Sequence, residues 1–352
     1  MTTLLHVVGA RPNFPKLAPV FRAGRARGVA QAIVHTGQHY DASMSGDFFR
    51  FLDIPEPDFN LDVGSASHAV QTARIMERIE PVLERVRPQW LVVYGDVNST
   101  VAGALVAAKM GVRVAHVEAG LRSGDWTMPE EVNRVVTDRL ANLLLTPSPD
   151  GDAALLREGV PADRIVFVGN VMIDSLMHAL DAAQKTGARK RLGGDGKYAL
   201  VTLHRPSNVD DPVQLQRVAG ALRELRKRFR VVFPMHPRTA ARVRDHHIEL
   251  GDVVVMNPIS YPEMVDLMRG AAVVVTDSGG VQEETTALGV RCFTLRPNTE
   301  RPVTISEGTN TLVTDPEQLM AAIDAPVRPA RVPDGWDGRA GERVIEALLA
   351  HA

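Results

Sequence analysis

The chain has 352 residues, 45% hydrophobic and 23% charged, with a net charge of −2. That is enough chain for two hydrophobic cores and lacks the basic excess that binding to nucleic acid or an anionic membrane would demand. The single cysteine, Cys292, excludes an internal disulfide and any CxxC pair of a structural metal site, and neither metal nor cofactor is expected.

The apolar run at 4–8 is too short for a signal peptide, and no stretch approaches the ~20 apolar residues of a membrane span; a cytoplasmic protein is expected. Short β-branched runs predict strands over 3–8, 31–35, 90–95, 112–117, 142–146 and 164–168. A second set follows at 198–203, 230–235, 252–256, 272–276, 291–295 and 311–314. Amphipathic periodicity predicts helices over 69–86, 98–109, 130–141, 171–184, 212–228, 238–247, 261–269, 281–288 and 316–323. Strand–helix alternation implies parallel sheets buried on both faces. The expected fold is therefore α/β, with two Rossmann-like doubly wound domains facing a cleft. The expected domains are 1–169 and 170–335, with a last helix in 336–352 packing back on the first. The polar stretch 186–196 reads as a surface loop.

In such sheets ligands sit beyond the carboxyl ends of the strands, and polar residues gather there. Arg11 follows the first strand, Gln38 and His39 the second, Asp96 the third and Glu118 the fourth. In the second half His204, His236 and the run Asp277-Ser278-Gly279-Gly280 hold the same place. Glu130 and Glu131 stand back to back at a helix start, so Asp96, Glu118 and this pair supply carboxylates for proton transfer, which requires acids whose pKa values are driven apart. The turn at 278–280 offers backbone N–H groups and a helix N-terminus to an anion; the alternative is a plain helix start capped by Ser278. Arg11, Lys16 and Arg301 offer cations to a diphosphate. For Lys16 the alternative is a solvated lysine, and for Arg301 an ion pair with Glu300. His204 suits a general acid near neutral pH; the alternative for it and for His236 is a structural histidine.

The segments GARPNFPKLAPV (9–20), HTGQHYD (35–41), YGDVNST (94–100), HVEAGLRSGDWTMPEEVNR (116–134), LHRPSNVD (203–210), TDSGGVQEE (276–284) and TERPVTISEGTN (299–310) occur together in this order. In this the chain resembles the non-hydrolysing UDP-N-acetylglucosamine 2-epimerases. The resemblance implies a fold of the GT-B type and reversible interconversion of UDP-GlcNAc and UDP-ManNAc through elimination and re-addition of UDP, with 2-acetamidoglucal as intermediate. It also implies that Asp96, Glu118 and Glu130 are the catalytic acids and His204 the catalytic histidine. Arg11, Lys16, His236, Ser278, Gly279, Gly280, Glu284 and Arg301 would bind substrate, with Glu284 on the ribose. Gln38, His39 and Arg134 would belong to a site where a second UDP-GlcNAc acts as activator. A homodimer is implied, with no nucleic-acid or membrane partner. Asn13-Phe14-Pro15 stands where the family more often has Glu-Ala-Ile. This and other departures leave room for a related UDP-acetamido sugar or uronate as substrate. A GT-B UDP-sugar glycosyltransferase is the reading from another class.

Overall fold

The computed structural model describes residues 3–38, 51–194 and 196–352. The chain divides into two compact units, 1–175 with 334–352, and 176–333. The helix Val171–Thr186 carries the chain from the first to the second.

The first unit is built on a parallel sheet of β1 (Thr3–Val8), β2 (Ala30–His35), β3 (Phe59–Asn60), β4 (Trp90–Tyr94), β5 (Arg113–Val117), β6 (Leu143–Thr146) and β7 (Ile165–Phe167). Their order across the sheet is β3-β2-β1-β4-β5-β6-β7. Alternate residues of each strand go to opposite faces. Leu4, Val8, Ile33, Trp90, Val92 and Val117 enter one core. Leu5, Val7, Val34, Leu91, Val93 and Val114 enter the other. Both faces are buried, so these strands read as continuous apolar runs.

The helix Phe14–Ala26 covers the first face. It carries Pro19 and Gly24 in its interior, and no helix is predicted there because both disfavour a helix interior; Pro15 lies in the first turn, where proline is tolerated. Pro19 has no N–H to give the carbonyl of Pro15 four residues earlier; the Ser175 hydroxyl donates to that oxygen instead, at 2.5 Å. The C-terminal helix Ala340–Ala350 packs beside it, with Ala340, Val344, Ile345 and Leu348 in the same core. Asp174 ties down its start by accepting the amide hydrogens of Ala340 at 3.1 Å and Gly341 at 2.7 Å.

The second unit holds β8 (Tyr198–Thr202), β9 (Arg230–Pro234), β10 (Val254–Met256), β11 (Val273–Thr276), β12 (Cys292–Leu295) and β13 (Asn310–Val313). They form a parallel sheet in the order β10-β9-β8-β11-β12-β13. The predicted loop at 186–196 contains a helical turn, Arg189–Gly193. Its base is held where Asp266 accepts the amide hydrogen of Arg189 at 2.9 Å. In each sheet the strand order reverses once, between β1 and β4 and between β8 and β11. Such a reversal splays the flanking loops apart and opens a crevice at the carboxyl ends of the two strands.

Among the described residues, no helix is long and apolar enough to cross a membrane, and no group of three or more His, Cys, Asp or Glu side chains could hold a metal ion.

Candidate functional site

The candidate residues of the first unit collect at the β1/β4 reversal. Asn13 bridges the two strand exits. Its side-chain oxygen accepts the amide hydrogens of Gly9 and Ala10, each at 3.1 Å, while its amide donates to the Tyr94 carbonyl at 3.0 Å. An ionised glutamate at 13 could accept but not donate, so this crossing to β4 depends on the asparagine amide.

Lys16, one turn on, is buried and ion-paired with the buried carboxylate of Glu118. Both press on Gly95: a Cβ there would lie 2.5 Å from Lys16 Nζ and 3.0 Å from Glu118 Oε2. Gly95 immediately precedes Asp96, so two of the three candidate acids flank one glycine. Asp96 is held from the other side by Arg134, at 2.5 Å. The Asn133 amide donates to the Asp96 carbonyl at 2.9 Å. Glu130, half-buried, lies three and four residues before these two on the helix Pro129–Leu140 and shares their face.

The paired glutamates separate in role. Glu131 is buried and accepts from the Ser123 amide at 3.0 Å, the Ser123 hydroxyl at 2.9 Å and the Gly124 amide at 2.9 Å, and it also pairs with Arg134. Burial opposes its charge, but these donors hold its carboxyl below the usual range. Glu131 therefore fastens the 123–124 loop to the helix, and Glu130 stands outside these pairings. Lys16, expected at a diphosphate, pairs with Glu118, and Arg134, expected at an activator site, pairs with Asp96 and Glu131.

Glu118 has φ +73°, a left-handed conformation that costs a non-glycine residue energy. Its surroundings fix it. The amides of Glu118 and Ala119 both donate to the Leu145 carbonyl, at 3.0 and 3.2 Å. The Gly120 amide donates to Asp138 at 3.1 Å. His116 Nδ1 lies 2.6 Å from Asp138, and its Nε2 2.8 Å from the Gly95 carbonyl. Asp138 is buried, yet His116 and Arg122 hold its carboxyl below the usual range against that burial. His116 heads the segment 116–134 without announcing a partner, and Asp138 does not stand out in the sequence; an aspartate inside a helix carries no motif of its own.

Gln38 is buried, its side-chain oxygen accepting from the Ser99 amide at 3.1 Å and the Ser99 hydroxyl at 2.7 Å. His39 lies outside the described residues. Arg11 sits exposed in the turn Arg11–Asn13 after β1.

In the second unit the β8/β11 reversal brings His204 to Asp277, Nδ1 to Oδ1 at 3.0 Å. Asp277 is fully buried and also accepts the amide hydrogens of His204 and Arg205 and the Asn208 amide, at 2.9–3.1 Å. Burial works against its ionisation, but His204, Arg205 and Asn208 keep its carboxyl below the usual range. Directly after it Ser278 precedes the helix Gly279–Leu288, and its side chain makes no capping bond to that helix. The plain-cap alternative for Ser278 is thus not what the structure contains, and the first-turn amide hydrogens of 279–280 lack that partner.

Arg301 stands at the same helix start: a Cβ on Gly279 would lie 2.5 Å from its Nη1. It pairs with Glu300 at 2.5 Å and Glu283 at 3.0 Å. The ion-pair alternative holds for Arg301, at a place where it also abuts the turn at 278–280. Glu284, expected at a ribose, is buried and accepts from the Tyr261 hydroxyl at 2.7 Å; burial pushes its carboxyl up to about 7. His236, exposed at the β9 exit, caps the helix Pro237–Asp245 by accepting the Arg238 amide hydrogen on Nδ1 at 3.1 Å.

Residues 22–349 match the family model described as UDP-N-acetylglucosamine 2-epimerase. The chain belongs to the UDP-N-acetylglucosamine 2-epimerase family. The UDP-N-acetylglucosamine 2-epimerase of Methanocaldococcus jannaschii is 39% identical over 97% of both chains. The crystal structure of the M. jannaschii UDP-GlcNAc 2-epimerase in complex with UDP-GlcNAc and UDP superposes with a TM-score of 0.90 at 38% identity, covering both chains fully. A second epimerase relative, the UDP-2,3-diacetamido-2,3-dideoxy-D-glucuronate 2-epimerase of Pseudomonas aeruginosa, is 42% identical over 88% of each chain. The 2-epimerase family thus includes both a plain acetamido sugar and a diacetamido uronate among the substrates named for this chain's relatives.

Proposed function

We propose that the chain interconverts UDP-GlcNAc and UDP-ManNAc. The observation that carries this reading is the pair Asp96 and Glu118 on either side of Gly95, each held by its own cation, with Glu130 on the adjoining helix. One carboxylate takes the proton from C2. The C1–O bond breaks with its electron pair passing to the diphosphate, leaving a C1=C2 double bond in 2-acetamidoglucal. UDP then adds back at C1 while a carboxylic acid returns a proton to C2 on the opposite face. No proton is consumed overall.

The charge that builds on the departing diphosphate is met by the amides of Gly279 and Gly280, by the Ser278 hydroxyl, by Arg301 and by His204. Such preorganised donors contribute roughly 3–4 kcal/mol each when aimed at developing charge. Glu284 takes the ribose hydroxyls. Arg134 belongs with the acids in this reading and orients Asp96. The test is incubation with UDP-GlcNAc alone in D2O. Deuterium at C2 together with UDP-ManNAc supports the reading. Neither product nor label refutes it, and free ManNAc indicates a hydrolysing enzyme.

A second reading, C2 epimerisation of a diacetamido uronate, is favoured by the Pseudomonas aeruginosa relative. Comparing kcat/KM on both UDP-sugars decides between them.

A further inference from the structure

We propose that Asp277 is a positioning residue that locks the His204 ring with its hydrogen on Nδ1, while His236 is locked in the opposite tautomer. The two histidines therefore divide the work at the diphosphate, His204 passing a proton through Nε2 and His236 donating permanently from Nε2. The role given to His204 rests on the epimerase reading; the tautomers do not.

The argument starts from donors and acceptors. A carboxylate accepts and cannot donate. Asp277 is fully buried and already takes three N–H donors from the segment after β8, the amides of His204 and Arg205 and the side-chain amide of Asn208. The fourth contact, His204 Nδ1 at 3.0 Å, is consequently an N–H donor too. A neutral ring then carries its lone pair on Nε2. The geometry is stiff from below: the Asp277 amide donates to the Thr202 carbonyl at 3.2 Å, and the Thr202 and Thr276 hydroxyls meet at 2.7 Å.

His236 is fixed the other way. Its Nδ1 receives the amide hydrogen of Arg238, so that nitrogen holds the lone pair and the ring hydrogen sits on Nε2. The two ring centroids are 5.6 Å apart at 41°, close enough to serve one anionic group from two sides. Asp277 also adjoins Ser278 and Gly279, so the same residue that orients the ring begins the anion-accepting turn.

As the C1–O bond breaks, its electron pair collects on a diphosphate oxygen. His204, in its imidazolium form, passes the Nε2 proton to that oxygen and is left neutral with its hydrogen still on Nδ1. Re-addition returns the proton to Nε2. His236 makes the same hydrogen bond throughout and exchanges nothing.

The test uses the full chain with 15N-labelled histidine rings, with signals assigned through His204→Gln and His236→Gln. Long-range 1H–15N spectra are recorded without substrate at alkaline pH, where imidazole is neutral. The expected result is hydrogen on Nδ1 in His204 and on Nε2 in His236. Hydrogen on Nε2 of His204, or one tautomer for both rings, overturns the proposal. Because no turnover is needed, this result stands or falls separately from the epimerase reading.

Asp277→Asn presents an amide to a ring that needs an acceptor. It is expected to invert or mix the His204 tautomer, leave that of His236 unchanged, and lower kcat on the order of 10²–10⁴-fold while UDP binding is retained. A folded Asp277→Asn protein with an unchanged His204 tautomer and unchanged kcat overturns the proposal. If that variant does not fold, the wild-type spectrum alone decides.

Discussion

The left-handed backbone of Glu118 makes a prediction whose sign runs against ordinary expectation. At most positions glycine is less stabilising than alanine by about 0.5–1 kcal/mol, because it loses more backbone freedom on folding. At φ +73° the alanine Cβ meets the following carbonyl, at a cost of roughly 1–2 kcal/mol, and glycine escapes this. In a Lys16→Met background, which removes the buried partner of Glu118, Glu118→Gly is therefore expected to be more stable than Glu118→Ala by about 0.5–1 kcal/mol. The readout is local. All three tryptophans, Trp90, Trp126 and Trp336, belong to the first unit, so tryptophan fluorescence in urea follows that unit alone. With a denaturant slope near 2 kcal/mol/M the midpoints differ by roughly 0.3–0.5 M. Equal midpoints, or alanine above glycine, would refute the claim that the loop after β5 imposes strain on this residue.

Three further outcomes are expected. Arg134→Met leaves Asp96 and Glu131 without their shared guanidinium; kcat is expected to fall at least on the order of 10²-fold and the first unit to lose about 3–5 kcal/mol, with Arg134→Lys intermediate because an ammonium cannot fork between two carboxylates. Gly341→Ala replaces glycine within a helix, which propensity alone would favour by about 1 kcal/mol; but the new Cβ would lie 2.6 Å from the backbone carbonyl of Pro19, so a loss of about 1–3 kcal/mol is expected in the fluorescence transition. Glu284 has its folded pKa raised from 4.5 to about 7, so the folded state binds the extra proton. Stability conferred at low pH is lost as pH rises from about 4.5 to about 7, by roughly 3 kcal/mol in total. In calorimetric scans across that window Glu284→Gln is expected to flatten the pH dependence and raise the melting temperature above pH 7; an unchanged slope would count against a buried, protonated Glu284.

The strands were legible because both sheet faces are buried, which leaves unbroken runs such as Leu91-Val92-Val93 and Val273-Val274-Val275. The two-residue β3 was not, since Phe59–Asn60 is too short to show a period. The helix Phe14–Ala26 hides behind an interior proline, Pro19, and a glycine, and becomes intelligible only once Ser175, 160 residues away, is seen to satisfy the Pro15 carbonyl. The polar strand ends announced where to look, but partnerships were invisible. A lysine near a glycine-rich turn gives no sign of the buried carboxylate found against it. Likewise Asp277 reads as part of a turn until three donors from the segment after β8 are found on its oxygens. Which charge neutralises which is decided by tertiary contacts between segments far apart in the chain, and spacing along the chain does not encode them.

The first unit is written in two pieces, 1–175 and 334–352, and the second piece supplies Val344, Ile345 and Leu348 to its core. During synthesis the ribosome completes all of 176–333 before those residues emerge. The lobe begun first is thus finished last, with the apolar face around Leu17 and Val20 awaiting its cover in the meantime. A nonsense codon late in the gene would spare the continuous 176–333 segment and strike the lobe that carries the acids.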